Sequence, residues 1–153
     1  MHTSVNREAL SAALSIAARF AEKRTSIPIL SHVHIASNGH LDVSATDQEI
    51  GVTVALPCES QVDGAVCLNA DTLLKMVKAM KGDTVDMLAL PAGVEITAGR
   101  SQFSVPGLPA AEYPCLPTAA RMSGDGVTIN AGAFVALTDR VLYATSTHRS
   151  AGR

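Results

Sequence analysis

"VNREAL", residues 5–10, returns as "LNADTL" at 68–73 and as "INAGAF" at 129–134. Each copy sets an apolar residue before an Asn (Val5, Leu68, Ile129) and a large apolar residue four places after it (Leu10, Leu73, Phe134). The asparagines stand at 6, 69 and 130, spaced by 63 and then 61 residues. The chain therefore carries an internal repeat, with a period above that of the common solenoid families.

The residues after each copy support the repeat. After Asn6, Leu10, Ala13, Leu14, Ala17 and Ala21 recur at three- and four-residue steps, the period of an amphipathic helix, which Ser26-Ile27-Pro28 closes. Alternation then predicts three antiparallel strands over 29–37, 40–47 and 49–56, with Asn38-Gly39 turning the first pair as a hairpin. The second unit keeps the order: strand 65–69, a helix over 70–81 carrying Leu73, Leu74, Met76, Val77 and Met80, then strands near 84–90, 93–98 and 101–106. Gly82-Asp83, Pro91-Ala92-Gly93 and Gly99-Arg100 supply its turns. Gly124-Asp125-Gly126 reads as a hinge, after which a third unit opens with strand 126–130 and a helix over 132–147. The grammar is βαβββ, βαβββ, βα. Two complete units, about 1–60 and 64–118, give an α+β layer arrangement, with helices on one face of a shared antiparallel sheet. The third helix offers Phe134, Leu137, Val141 and Leu142 without strands of its own to cover, so the segment either docks on another chain, which is the expectation, or frays and exposes an apolar patch.

The composition fits a core of aliphatic side chains: of 153 residues 47% are apolar, only 3% are aromatic, and Trp is absent. No 18-residue apolar span occurs, and the N-terminus lacks the order of a secretory signal, so a cytoplasmic location and no membrane partner are expected. Cys58, Cys67 and Cys115 are odd in number and form no C-x-x-C, which reads as reduced, mostly buried thiols.

Charge is distributed unevenly. Nine of the twelve basic residues fall in or at the ends of the predicted helices: Arg7, Arg19, Lys23, Arg24, Lys75, Lys78, Lys81, Arg140 and Arg149. Only four of the fourteen acids do, namely Glu8, Glu22, Asp71 and Asp139, so the helical layer carries +5 while the rest carries −7 of the net −2. Lys and Arg scattered over helices, without interleaved aromatics, suit contact with a phosphate backbone that does not read bases. The same pattern also arises when charged residues simply solvate the outer faces of amphipathic helices.

Enzymatic readings find little support. His32 and His34 alternate on one strand with His40 near the turn, and three imidazoles could hold Zn²⁺, but strand histidines facing solvent are the commoner arrangement and no metal is expected. Asp47 and Glu49 pair two carboxylates with no nucleophile or phosphate loop beside them, and Asp47 reads as a strand-ending turn residue. No catalytic residue and no cofactor is assigned.

"RTSIPIL" (24–30), "LDVSATDQEI" (41–50) and above all "GRSQFSVPGLPAAEYP" (99–114), in this order around these helices, resemble the first domain of the bacterial DNA polymerase III beta subunit, the sliding clamp. The resemblance runs from residue 1 to about 118 and from about 126 to 149, and it divides the chain into a first clamp domain, 1–120, and the opening strand and helix of a second, 124–153. It implies a DNA-clamp fold, in which βαβββ units form a ring with helices lining a hole that duplex DNA threads, and a non-catalytic role as a polymerase processivity factor in DNA replication. The basic helical layer is the charge arrangement such a ring needs for a loosely held duplex. By family position Arg24 reaches DNA. Lys75, Lys78, Lys81, Arg19 and Lys23 are added by helical placement, with Arg140 and Arg149 in the third unit. The hairpin after Gly99 helps form the subunit interface in the family, which carries over to Arg100, Gln102, Phe103 and Val105; an open edge strand is in any case suited to pairing with another chain. Gln102 stands where the family often has a basic residue. After Ser150 the chain reads Ala-Gly-Arg where the family continues its second domain. The family's groove for polymerase and clamp-loader peptides lies between its second and third domains, so those partners are not expected of these residues. The expected partners are duplex DNA and further clamp subunits. A second reading makes the chain a protein-interaction module that self-associates or competes for clamp subunit edges.

Overall fold

Each repeated asparagine proves to be the N-cap of a helix in the computed structural model, which describes residues 1–23, 25–91, 93–114 and 128–144. Asn6 ends strand β1 (His2–Asn6), and its side-chain oxygen accepts from the amides of Glu8 and Ala9, both at 3.0 Å, at the start of α1 (Arg7–Ala17). Asn69 accepts from Thr72 N at 3.0 Å to open α2 (Ala70–Ala79), and Asn130 accepts from Ala133 N at 3.0 Å to open α3 (Ala131–Leu142). A helix leaves its first amides without intrahelical partners, and a short side-chain acceptor supplies one. The apolar residues around each Asn hold the positions of a hydrophobic staple, which fixes the angle at which the chain enters the helix. In the first two copies both members, Val5 with Leu10 and Leu68 with Leu73, are buried.

The two units do not share one sheet; they exchange opening strands between two. The strands are β2 (His32–Ser37), β3 (Leu41–Thr46), β4 (Gly51–Leu56), β5 (Cys58–Val62), β6 (Gly64–Asn69), β7 (Thr84–Leu90), β8 (Gly93–Ala98), β9 (Ser101–Val105) and the short β10 (Leu108–Pro109). One five-stranded sheet runs β5-β1-β7-β8-β9 and the other β10-β6-β2-β3-β4. Thus β1 of the first unit pairs antiparallel with β7 of the second, Asn6 opposite Thr84, while β6 of the second pairs with β2 of the first, Val33 opposite Leu68. The two sheets have matching strand orders, as an internal repeat requires. Alternation along β2 buries Val33 and Ile35 and turns His32 and His34 outward; β8 buries Val94 and Ile96 in the same way. These inner faces join Leu10, Leu14, Leu73 and Val77 of the helices in one core, and α1 packs on α2, β3 and β4.

Several boundaries differ from the sequence expectation. The first helix stops at Ala17: Arg19 N bonds Ile16 O and Phe20 N bonds Ala17 O in a tighter turn, and Glu22 N then bonds Leu30 O. Packing of Ala18 and Ala21 on the core redirects the chain here in spite of continuing helical periodicity. Residues Pro28–Ser31 form a 3₁₀ turn in place of the start of a strand, with Pro28 in the first-turn position where its fixed φ fits. β5, a polar strand with Glu59 exposed, was hidden from hydrophobic alternation. The Asn38-Gly39 hairpin, the strands 84–90 and 93–98 and the turn at Asp47 appear as expected; Asp47 Oδ1 accepts from Glu49 N and Ile50 N.

The chain divides into Met1–Leu116, described above, and Pro117–Arg153. In the latter, α3 carries exposed Phe134, Leu137, Val141 and Leu142, and residues 128–130 form no strand. Opening strands β1 and β6 are each held by strands from another unit, which explains why such a segment does not form a strand by itself. Residues 126–127, the Gly124-Asp125-Gly126 hinge and Cys115 lie outside the described residues.

Candidate nucleic-acid interface

Five exposed cations of Met1–Leu116 run from the turn after α1 along α2 to just beyond its end. Arg19 lies in the turn after α1, and Lys23 comes next in the loop, since the helix is shorter than its periodicity implied. Lys75 and Lys78 project from α2, and Lys81 lies just beyond its end. All five are exposed. Arg7 is held differently: its Nε donates to Gly82 O at 2.7 Å and its guanidinium lies 3.7 Å from Glu8, so it ties the α2–β7 connection to α1. Arg24 and Arg149 lie outside the described residues. Arg140 is exposed in the last turn of α3.

Between the end of α1 and the start of α2 lies a groove of about 310 Å³, whose lining includes Lys23, Ser31, Asn69, Asp71, Thr72 and Lys75. Here the structure adds a residue that the sequence marks only as an acid. Asp71 stands between two lysines, with Oδ1 3.8 Å from Lys23 Nζ and Oδ2 3.9 Å from Lys75 Nζ. Its spacing to Lys75 is the i,i+4 interval of a helix face and was visible in the sequence; Lys23 arrives only through the fold. Asp71 also lies in the first turn of α2, where a negative charge meets the positive end of the helix dipole.

The β8–β9 hairpin forms an outer edge, with β9 the last strand of its sheet. Arg100 is exposed in its turn, and Gln102 Nε2 donates to Glu95 Oε1 at 2.8 Å. Phe103 lies opposite Ile96 and Val105 opposite Val94, so both face inward: Val105 is buried and Phe103 is half-buried against the core. At Gly99 φ is +59°, and a Cβ would come within 2.5 Å of the Lys81 carbonyl oxygen. Only glycine fits there, and its close approach seats the hairpin turn on the chain leaving α2.

The histidines do not converge. His32 Nδ1 lies 2.9 Å from Pro28 O, His40 Nε2 lies 3.2 Å from Asp42 Oδ2, and His34 stacks on Tyr113 with ring centroids 5.3 Å apart. Burial lowers the His34 pKa from 6.5, with the Asp42 charge working against the shift. Burial pushes the Tyr113 phenol up to about 12 and the Cys67 thiol up to about 11. The described residues contain no group of three or more His, Cys, Asp or Glu able to hold a metal, and no helix among them is long and apolar enough to cross a membrane.

Two interlocked βαβββ units, with helices packed together and strands in two antiparallel sheets, define the α+β DNA-clamp fold. The family model for the DNA polymerase III beta subunit, N-terminal domain, matches residues 1–117, and the chain belongs to that family. It is similar to the beta sliding clamp of Caulobacter vibrioides, 30% identical over 98% of this chain and 41% of the relative. Its structure resembles the DNA polymerase III subunit beta of Pseudomonas aeruginosa at 26% identity with a TM-score of 0.84, covering 98% of this chain and 41% of that one. It resembles the Bacillus subtilis sliding clamp in fold with a TM-score of 0.90 at 22% identity, covering 99% and 42%. The chain thus spans about two fifths of the length of these relatives.

Proposed function

We propose that this chain is a sliding-clamp module, a non-catalytic processivity element of DNA replication that touches duplex DNA through its phosphates without reading bases. The observation that carries this is the placement of five exposed cations, Arg19, Lys23, Lys75, Lys78 and Lys81, on α2 and at the ends of α1 and α2, in a chain whose relatives are named beta sliding clamps. Long, flexible, exposed ammonium groups suit phosphate contact, which gives affinity and register but no sequence information. Arg24, next to Lys23, joins this set by the family position of "RTSIPIL", and Arg140 and Arg149 by extension to the third unit. Residues 1–120 act as the first clamp domain and 124–153 as the start of a second, in the cytoplasm. The open edge of β9 makes the subunit contact through its backbone and Arg100, while Phe103 and Val105 support the strand from beneath. Further clamp subunits are the protein partners.

The test is fluorescence anisotropy with two unrelated duplexes of equal length over a salt series. The parent should bind both alike, and a Lys75→Ala, Lys78→Ala, Lys81→Ala variant should bind both more weakly. Its salt slope should flatten by roughly 0.9 for each phosphate that the variant no longer neutralises. Equal binding of variant and parent at low salt would refute the reading.

A further inference from the structure

The geometry points to Asp71 as an internal counter-ion that restrains the grip of this face on duplex DNA; this rests on the phosphate-contact reading above. One carboxylate lies within 4 Å of two ammonium groups, one on its own helix and one on the loop after α1. All three groups line the same groove and remain open to solvent, with 71%, 79% and 49% of the Lys23, Lys75 and Asp71 side chains exposed. A phosphate approaching either lysine meets a pair of ammoniums carrying +2 together with a carboxylate that subtracts one of those charges. It must either displace the Asp71 carboxylate or accept its repulsion at short range. Among the described residues, Asp71 is the acid in ion-pair contact with both cations. Glu22 lines the groove as well, without an ion pair to either lysine, and so serves as a control for charge alone.

A purely structural role predicts the opposite effect on binding. In the first turn of α2, loss of the Asp71 charge removes a favourable interaction with the helix dipole, so Asp71→Asn should slightly weaken the fold. The counter-ion role predicts tighter DNA binding from that same variant. A unit charge about 4 Å away through water corresponds to a change on the order of fivefold in affinity at low salt, lost as salt screens the site.

The experiment measures anisotropy binding of a fixed duplex to the full chain and to Asp71→Asn, Glu22→Gln, Lys23→Ala/Lys75→Ala and the triple combination of Asp71→Asn with both lysine changes. The expected result is tighter binding and a steeper salt slope for Asp71→Asn, a much smaller gain for Glu22→Gln, and no gain from Asp71→Asn once both lysines are gone. If Asp71→Asn binds like the parent while the lysine variant weakens, the counter-ion inference is overturned and the phosphate-contact reading stands. Equal gains from Asp71→Asn and Glu22→Gln would reduce the effect to net charge and also overturn it. Should none of the variants, the lysine pair included, alter binding, both the inference and the reading beneath it fall.

Discussion

Asn6→Ala isolates what the repeated asparagine contributes. Its side chain is exposed and holds two amides, Glu8 N and Ala9 N, at 3.0 Å each, so truncation removes the cap while leaving the strand pairing of β1 and the buried Val5–Leu10 staple in place. Loss of an N-cap costs about 0.5–2 kcal/mol, and two accepted bonds place Asn6 in the upper part of that range. For the 116 residues of Met1–Leu116, an unfolding entropy of roughly 2.1 cal/mol/K per residue converts about 1.5 kcal/mol into a Tm fall of about 6 °C. Asn6→Asp keeps the acceptor and adds a charge at the positive end of α1, so it should match or exceed the parent. Urea unfolding followed by circular dichroism, read as a midpoint shift at constant slope, measures both variants. An alanine variant within about 0.3 kcal/mol of the parent, or an aspartate variant as unstable as alanine, would refute the capping account.

Gly99 and Gly39 both have positive φ, +59° and +72°, but only Gly99 faces a close neighbour, and Gly39 has nothing within 4 Å of its Cβ position. Gly39→Ala should therefore cost about 1–2 kcal/mol in the same urea assay and Gly99→Ala clearly more; equal losses would show that the Lys81 carbonyl moves aside freely. His34, held below its usual 6.5 by burial, takes up a proton in the unfolded chain before it does in the folded one. Stability should be full above that value and decline as pH falls through it toward the lowered folded pKa, with a smaller decline in His34→Asn. An identical decline in parent and variant would place the pH dependence elsewhere.

The repeat was legible because caps and staples are local: an Asn between two large apolar residues states a helix start in six letters. Strands 84–90 and 93–98 were legible for a similar reason, since alternation bounded by Gly and Pro is a local signal. Partner choice was not. Alternation says which side of a strand is apolar and nothing about which strand lies beside it, so the exchange of β1 and β6 between sheets was hidden. The overrun of the first helix past Ala17 has the same origin, because packing of Ala18 and Ala21 on the core ends it where periodicity alone would continue it. At the candidate site, exposed lysines on α2 followed from periodicity, whereas the inward aim of Phe103 depended on its pairing with Ile96 and the position of Lys23 beside Asp71 on the fold of a loop.

The strand exchange also sets an order of assembly during synthesis. β1 leaves the ribosome well before its neighbours β5 and β7, and the second of these is complete only at Leu90. Until Val62 it lacks partners on both sides, and until Leu90 its β7 side stays open, while β2, β3 and β4 can already zip together as consecutive hairpins. Such late, long-range closure slows folding and leaves a nascent β edge exposed for longer than a meander would. A duplication whose halves hold each other's first strand gives up the possibility that either half matures alone, and in return the boundary between them cannot open without dismantling both sheets.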